Sequence, residues 1–183
     1  MRPQTHRMRR FSRSFRNSAL ALIVSPLFAL TLGLTGCDRG SHPSQIGHPA
    51  PDFTVADSTR TVHLAALRGH IVVLNFWATW CPPCVEETPS LVAMQRQMPG
   101  ITVLAVSLDE DADVYHQFLK DNHVDLLTVR DPAQKSNALY GTFQYPETYV
   151  IDRNGIIRRK FIGAQDWTSP ELLSYLRKLQ AAS

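Results

Sequence analysis

Two cysteines, Cys81 and Cys84, stand two residues apart in the stretch NFWATWCPPCVEE, which spans residues 75–87. Such a pair could hold a metal ion, cross-link the chain, or exchange electrons by opening and closing a disulfide. Exchange needs a reachable thiolate that attacks and a second sulfur that resolves the mixed disulfide. A buried strand before Cys81 and a helix that begins there would favour the thiolate, because the free amides at a helix start stabilise negative charge.

The two linker prolines limit that effect. Pro82 and Pro83 suit the first turn of a helix, where a missing N–H costs little. They also remove two donors, so the first amides available to the Cys81 sulfur are those of Cys84 and Val85. Cys84 recurs with apolar residues at helical spacing, which predicts a sulfur facing the core, whereas Cys81 is predicted at the exposed tip.

Other uses of the pair are possible. A structural zinc site needs four ligands, usually from a second Cys or His pair, and Cys37 is the only other cysteine. A staple that closes so short a loop would add little stability. A Cu(I) carrier using both thiolates is the serious alternative, although no methionine or histidine lies close in sequence to complete a site. We therefore predict disulfide exchange, without a metal or cofactor.

The first 36 residues do not resemble a folded domain. Six arginines precede any acidic residue, and an apolar run follows at 19–34. This order is typical of a secretory signal, and it fits a retained membrane span less well because the run is at the short limit for a bilayer. The ending Leu34-Thr35-Gly36-Cys37 resembles a bacterial lipobox, which implies acylation of Cys37 and a lipid anchor. Asp38 resembles a signal for retention on the inner membrane.

Removal of such a leader changes the charge of the chain. The intact chain carries 19 Lys and Arg against 16 Asp and Glu, a net charge of +3. Residues 37–183 keep 13 of those basic residues and all 16 acidic ones, a net charge of −3, so nothing indicates nucleic acid as a partner. We predict a lipoprotein signal peptide at 1–36, a flexible tether at 37–48 and one folded domain at 49–183.

The folded part alternates between strand and helix patterns. Extended segments are predicted at 53–57, 61–67, 71–76, 101–108, 124–129, 148–151 and 156–162. Helices are predicted from the cysteines to Met98, behind Asp111 or Asp113, before Tyr140, and from Ser169-Pro170-Glu171 onwards. Asn-Gly between the last two extended segments is a strong hairpin signal. The acidic cluster Asp109, Glu110, Asp111 and Asp113 is interpreted as solvated charge at a helix start.

The motif FWATWCPPC, residues 76–84, resembles the thioredoxin superfamily. Together with the lipobox, GHPAPDF (47–53) and YPETYVIDRNGIIRRKFIG (145–163), it makes the chain similar to the membrane-tethered TlpA/ResA-type thioredoxins over about residues 46–181. The resemblance implies an α/β thioredoxin fold. We therefore expect a central mixed β-sheet flanked by helices, with an N-terminal β-hairpin extension.

The resemblance also implies roles for individual residues. Cys81 matches the attacking cysteine and Cys84 the resolving one, so the two would form the redox-active disulfide. Pro146 matches a cis-proline that faces the active site and keeps the backbone of Tyr145 free to pair with an incoming chain. The Pro-Pro linker departs from the family pattern, which varies there, and it leaves the redox potential open.

Two further residues are assigned by the resemblance. Glu87 matches an active-site glutamate of the ResA-like branch, with helix-start charge as the plainer interpretation, and Trp80 is expected to face partners. A nearby carboxylate opposes thiolate formation, and no cation lies between the cysteines, so both features favour a reductant. A thiol oxidase is the enzymatic alternative.

The sequence thus predicts a lipid-anchored thiol–disulfide oxidoreductase on the periplasmic side of the bacterial inner membrane. Its expected partners are disulfide-containing envelope proteins, of the kind involved in cytochrome c maturation or copper-site biogenesis. An upstream membrane dithiol donor would return it to the reduced state.

Overall fold

The structure is a computed structural model, and it describes residues 45–182. The predicted signal peptide, Cys37 and most of the tether lie outside the described residues. Residues 45–48, assigned to the tether by their composition, instead bind the domain. The Gly47 N–H donates to the Ile157 carbonyl at 2.8 Å, and the Ile157 N–H donates to the His48 carbonyl at 3.0 Å. These bonds hold Gly47 and His48 against the start of the last strand of the main sheet.

An antiparallel strand pair precedes the main sheet, as predicted. Strand β1 (Thr54–Ala56) pairs with β2 (Thr61–His63). The predicted continuation of the second strand is wrong, because Leu64–Leu67 form a 3₁₀ helix. The Asp52 carboxylate accepts the Ala65 N–H at 2.9 Å. This bond stabilises the helical turn, and the apolar pattern of the segment gave no sign of it.

The central sheet has five strands in the order β5-β4-β3-β6-β7. Its strands are β3 (Ile71–Trp77), β4 (Ile101–Ser107), β5 (Leu127–Arg130), β6 (Glu147–Ile151) and β7 (Ile157–Ile162). The first three run parallel, whereas β6 is antiparallel to both of its neighbours. Strand β5 begins later than predicted because the Val124 N–H donates to the Leu119 carbonyl at 2.9 Å. The predicted hairpin joins β6 to β7, and Gly155 in its turn has a φ of 76°.

Four helices accompany the sheet, which confirms the predicted fold class. They are α1 (Pro82–Gln97), α2 (Ala112–Asp121), α3 (Lys135–Leu139) and α4 (Pro170–Ala182). Asp111 caps α2 by accepting the N–H groups of Asp113 and Val114 at 2.8 and 3.1 Å. Within residues 45–182, no helix has both the length and the apolar character needed to cross a bilayer.

Every residue of β3 is buried, because the strand has a hydrophobic core on each face. Val72, Leu74 and Phe76 pack on one side with residues of the β1–β2 hairpin. Ile71 and Val73 point to the other side, where α1 and α4 cover the sheet. Burial of one such side chain contributes about 1.5–3 kcal/mol. The position of β3 is therefore strongly determined, and the cysteines follow directly after it.

The turn between β3 and α1 is held by a buried carboxylate. Asp109 follows β4 and is only 2% exposed. Its oxygens accept the Thr79 N–H at 3.1 Å, the Thr79 hydroxyl at 2.6 Å and the Ser107 hydroxyl at 2.6 Å. The interpretation of Asp109 as solvated charge is thus wrong, since its neighbours along the chain gave no sign of these partners. The carboxylate links the end of β4 to the residues just before Cys81.

We expect Asp109→Ala to lower the free energy of unfolding by about 2–4 kcal/mol, because it leaves three donors without an acceptor away from water. Denaturant unfolding followed by tryptophan fluorescence measures the change. Glu110→Ala is the matched control, since Glu110 is exposed, and it should shift stability by less than about 0.5 kcal/mol. Equal effects of the two substitutions would contradict an anchoring role for Asp109.

Candidate active site

Cys81 and Cys84 are joined by a disulfide, with their Cα atoms 5.3 Å apart. Cys81 is the N-cap of α1, and Pro82 and Pro83 occupy its first two positions, as predicted. The sequence analysis predicts that the Cys84 and Val85 amides are the first ones available to the Cys81 sulfur. In the structure they donate instead to the Cys81 carbonyl, at 3.0 and 3.1 Å. The Cys81 side chain accepts no capping hydrogen bond from the described residues. In the oxidised state the helix start therefore acts on this sulfur through its dipole alone.

The predicted difference in exposure between the two cysteines is wrong for this oxidised state. Cys84 is 2% exposed, as expected, but Cys81 is only 5% exposed. Both belong to a cluster with Trp77 and Tyr115, and Tyr145 packs against that cluster. The Cys81 side chain is buried because these aromatic side chains pack around the disulfide. The pair is therefore covered in the oxidised state.

Trp80 and Tyr145 flank the disulfide from two different segments. Trp80 is 60% exposed, and its ring meets the Tyr145 ring edge-on with centroids 6.1 Å apart. The Asn137 side-chain amide donates to the Tyr145 hydroxyl at 2.8 Å and so orients the ring. The two rings form the rim of the site, and the Trp80 ring is largely open to solvent.

The Tyr145–Pro146 peptide bond is cis, in agreement with the expectation from the resemblance. The Pro146 carbonyl accepts the Gly163 N–H at 2.8 Å. Across residues 45–182, the backbone N–H and C=O of Tyr145 form no hydrogen bond. Unpaired backbone groups beside a reactive disulfide can accept an extended chain as an added strand.

A buried ion pair that the sequence did not predict lies behind the cis-proline. Glu147, 1% exposed, is 3.0 Å from Lys160 Nζ, and the Lys160 side chain is 6% exposed. The Glu147 carboxylate also accepts the Thr142 hydroxyl at 2.5 Å and the Tyr149 hydroxyl. In the β6–β7 hairpin, Lys160 stands opposite Tyr149, so Glu147 and Lys160 are diagonal neighbours on one face. That spacing is the signal that would have revealed the pair.

Glu87 lies on α1, one turn after Cys84, and is only 2% exposed. Its carboxylate accepts Trp167 Nε1 at 2.6 Å, the Gln165 N–H at 3.1 Å and Asn75 Nδ2 at 3.2 Å. Burial raises the pKa of Glu87 to about 7, even though these three hydrogen bonds favour the charged form. The interpretation of Glu87 as helix-start charge is wrong, because Glu87 is buried and no acidic residue lies in the first turn of α1. The structure therefore places a carboxyl group with a pKa near neutrality one turn after Cys84 on the same helix.

Among residues 45–182, no group of three or more His, Cys, Asp or Glu side chains is arranged to hold a metal ion. A cleft of about 350 Å³ adjoins the site. Its lining combines the apolar side chains of Trp80, Leu108 and Val114 with the acidic residues Asp109, Glu110 and Asp111. The surface beside the disulfide thus offers both apolar contact and negative charge.

The raised pKa of Glu87 predicts a pH-dependent stability. Folded Glu87 keeps its proton up to about pH 7, whereas the unfolded carboxyl loses it near 4.5. Between those values the native state binds more protons, so the free energy of unfolding should fall as pH rises, by about 3 kcal/mol. Glu87→Gln should remove this fall, as measured by denaturant unfolding of the oxidised protein at about pH 5 and pH 8. The exposed Glu86→Gln is the control, and an unchanged pH dependence in Glu87→Gln would contradict the assignment.

Known proteins are similar to this chain in sequence and in fold. The AhpC/TSA family model matches residues 46–160. The thiol-disulfide oxidoreductase ResA of Bacillus thuringiensis is 31% identical over 163 residues, which cover 87% of this chain and 92% of the relative. The thiol:disulfide interchange protein DsbE of Pseudomonas aeruginosa is 34% identical over 125 residues, which cover 66% of this chain and 68% of the relative.

A solved structure supports the same family assignment. The crystal structure assigned to a thiol:disulfide interchange protein DsbE from Chlorobium tepidum superposes with a TM-score of 0.65 at 32% identity. The match covers 75% of this chain and 96% of that one. This chain therefore belongs to the AhpC/TSA family and is a thiol–disulfide oxidoreductase of the ResA and DsbE type.

Proposed function

We propose that the chain is an extracytoplasmic reductant of disulfides in envelope proteins, with Cys81 as the attacking and Cys84 as the resolving cysteine. One observation carries the proposal above all others: a closed Cys81–Cys84 disulfide at the start of a helix faces a cis-proline turn with unpaired backbone groups. The leader sequence supports export and a lipid anchor at Cys37, on the periplasmic side of the inner membrane.

The reaction begins with the reduced pair. The Cys81 thiolate attacks one sulfur of a client disulfide and forms a mixed disulfide, while the other client sulfur leaves as a thiolate. The Cys84 thiolate then attacks the Cys81 sulfur, which releases the client as a dithiol and closes the Cys81–Cys84 bond. Two electrons and two protons pass to the client in total. An upstream membrane dithiol donor reopens the pair.

The turn before Pro146 supplies the contact that orients the client. An extended client segment can pair with the free N–H and C=O of Tyr145, which brings its disulfide toward Cys81. The exposed ring of Trp80 and the adjoining cleft then contact side chains next to the client cysteine. The resemblance to the thioredoxins of cytochrome c maturation favours apocytochromes or copper-centre thiols as clients.

The direction of transfer follows from how little the fold stabilises a thiolate at Cys81. Pro82 and Pro83 donate no hydrogen bond, and the next two amides already serve the Cys81 carbonyl. Above about pH 7, where Glu87 is ionised, its carboxylate one turn beyond Cys84 opposes a second negative charge nearby. Because a poorly stabilised thiolate makes the reduced pair a better electron donor, the pair acts as a reductant rather than an oxidant.

We expect Cys84→Ser to accumulate mixed disulfides between Cys81 and envelope proteins, because no second sulfur remains to resolve them. Non-reducing electrophoresis followed by mass spectrometry of the adducts measures this. Cys81→Ser is the matched control and should trap far less, since the remaining cysteine lies deeper on α1. Tight Cu(I) binding by the intact pair with no adducts in Cys84→Ser would instead support a copper carrier.

The reduction potential of the pair should lie near that of thioredoxin, about −270 mV, and far from the value of about −120 mV typical of the strong oxidant DsbA. Equilibration with glutathione or dithiothreitol buffers measures it. Pro83→His should raise the potential, because a cation between the cysteines stabilises the thiolate. A wild-type value close to that of the strong oxidant would favour the thiol oxidase.

A further inference from the structure

Charge is distributed unevenly along the described part of the chain. Residues 153–182 contain six Lys and Arg against two Asp and Glu, whereas residues 45–152 contain six against thirteen. The net charges are therefore +4 and −7 for the two segments. Uneven charge of this size produces a field that orients a protein near a charged surface.

The fold collects part of this basic charge at one end of the domain. The Arg153 guanidinium donates to the Gln180 carbonyl at 3.0 Å, and the Gln180 amide donates to the Pro99 carbonyl at 3.1 Å. The Gly69 N–H donates to the Arg153 carbonyl at 2.9 Å. The β6–β7 turn, the end of α4, the α1–β4 turn and the residues before β3 thus meet at one end, opposite the active site.

We call this end the basic pole and define it by Arg68, Arg153, Arg158, Arg177 and Lys178. All of these except the half-buried Arg153 are exposed. The acidic residues at this end are Asp52, Asp121, Asp125 and Asp152. Asp125 is 2.8 Å from Arg96, and the buried Asp152 is 2.6 Å from Arg158, so the charges of these two pairs cancel. The exposed Arg68, Arg177 and Lys178 then outnumber the exposed Asp52 and Asp121, and the surface stays positive.

The opposite end has the reverse sign. Glu86, Glu110, Asp111 and Asp113 are all exposed around the starts of α1 and α2, beside the disulfide. They outnumber the exposed Arg60 and Lys135 at the same end, so the active-site end is negative, and the basic pole lies at the other end of the same strands. A negatively charged surface would attract one end and repel the other.

The chain joins the domain at the basic pole. Gly47 and His48 bond to Ile157 at the start of β7, and the Ala50 N–H donates to the Gly155 carbonyl at 2.9 Å. From Cys37 to Gln45 the chain can span at most about 27 Å, since a residue extends about 3.3–3.6 Å. A domain of this length has a radius of gyration of about 14 Å and is roughly 35 Å across. An anchor at Cys37 would therefore hold the basic pole within a distance of the lipid that is shorter than the width of the domain, so the domain cannot invert completely.

We propose that the basic pole rests on the anionic headgroups of the membrane in which the chain is anchored, and that the negative active-site end points away from the bilayer. The inference rests on the proposed lipid anchor at Cys37. Each Lys or Arg near an anionic surface favours the docked state about fivefold at physiological salt. Docking presents the disulfide outward to clients, whatever their identity.

The test uses the full lipid-modified chain in phosphatidylcholine vesicles with and without phosphatidylglycerol. A fluorophore is attached to Ala181→Cys at the basic pole or to Ala133→Cys, which follows β5 at the active-site end, while the Cys81–Cys84 disulfide stays closed. A headgroup spin-labelled lipid should quench the first label several times more strongly than the second in anionic vesicles. The difference should shrink in neutral vesicles and at high salt.

The combined substitution Arg68→Glu, Arg177→Glu and Lys178→Glu should abolish the difference, whereas Arg60→Glu with Lys135→Glu, also exposed, should keep it. Equal quenching at both positions in anionic vesicles would overturn the proposal. Flotation reports separately on the anchor: an intact chain that fails to float with neutral vesicles contradicts lipidation at Cys37. In that case the quenching pattern on anionic vesicles still decides the role of the basic pole.

Discussion

The interaction between Asp109 and Thr79 is the constraint on which the active site depends. Strand β3 must end at Trp77 and helix α1 must start after Cys81, so only four residues separate two rigidly packed elements. The carboxylate that follows β4 binds both the N–H and the hydroxyl of Thr79, and it thereby fixes this short connection to the neighbouring strand. The positions of both sulfurs follow from that connection, because Cys81 and Cys84 belong to the first turn of the helix.

A second buried charge fixes the other side of the site. Lys160 neutralises Glu147 directly behind Pro146, so β6 begins at a defined point and the cis-proline turn faces the disulfide. Removal of one member of such a pair usually costs about 3–5 kcal/mol, because the other is left buried without a partner. The disulfide is therefore held between two elements that are each anchored by a carboxylate.

The parts of the fold that depend on local chemistry were predictable from the sequence. The unbroken apolar run of β3, the Asn-Gly turn between β6 and β7 and the Ser-Pro-Glu start of α4 all carry their own signals. The errors occurred where a distant residue decides the conformation. Gly47 and His48 pair with Ile157, and the Asp52 carboxylate accepts an N–H of the 3₁₀ helix that follows β2. No local sequence pattern indicates partners that lie this far away along the chain.

The same distinction applies to the site. The cysteines, the cis-proline and Glu87 were predicted through a motif, and the burial of Cys84 was predicted from its helical spacing, but the burial of Cys81 and Glu87 was not. Cys81 was predicted to be exposed because it lies at the start of a helix. Asp109 was predicted to be solvated because three acidic residues follow it closely in the sequence. Both are buried through contacts with other segments, Tyr145 in one case and Thr79 in the other. The one sequence feature that could have indicated the burial of Asp109 was its position just after β4, at the carboxyl edge of the sheet.

The cover over the disulfide has a consequence for the choice of substrate. The Trp80 and Tyr145 rings meet edge-on beside the buried cysteine pair, next to the unpaired backbone groups of Tyr145, which suit an extended strand. Under the proposed function, a substrate would therefore have to bring its disulfide to the pair on an extended segment. A protein whose cysteines lie in strands that are already hydrogen-bonded would not meet that requirement.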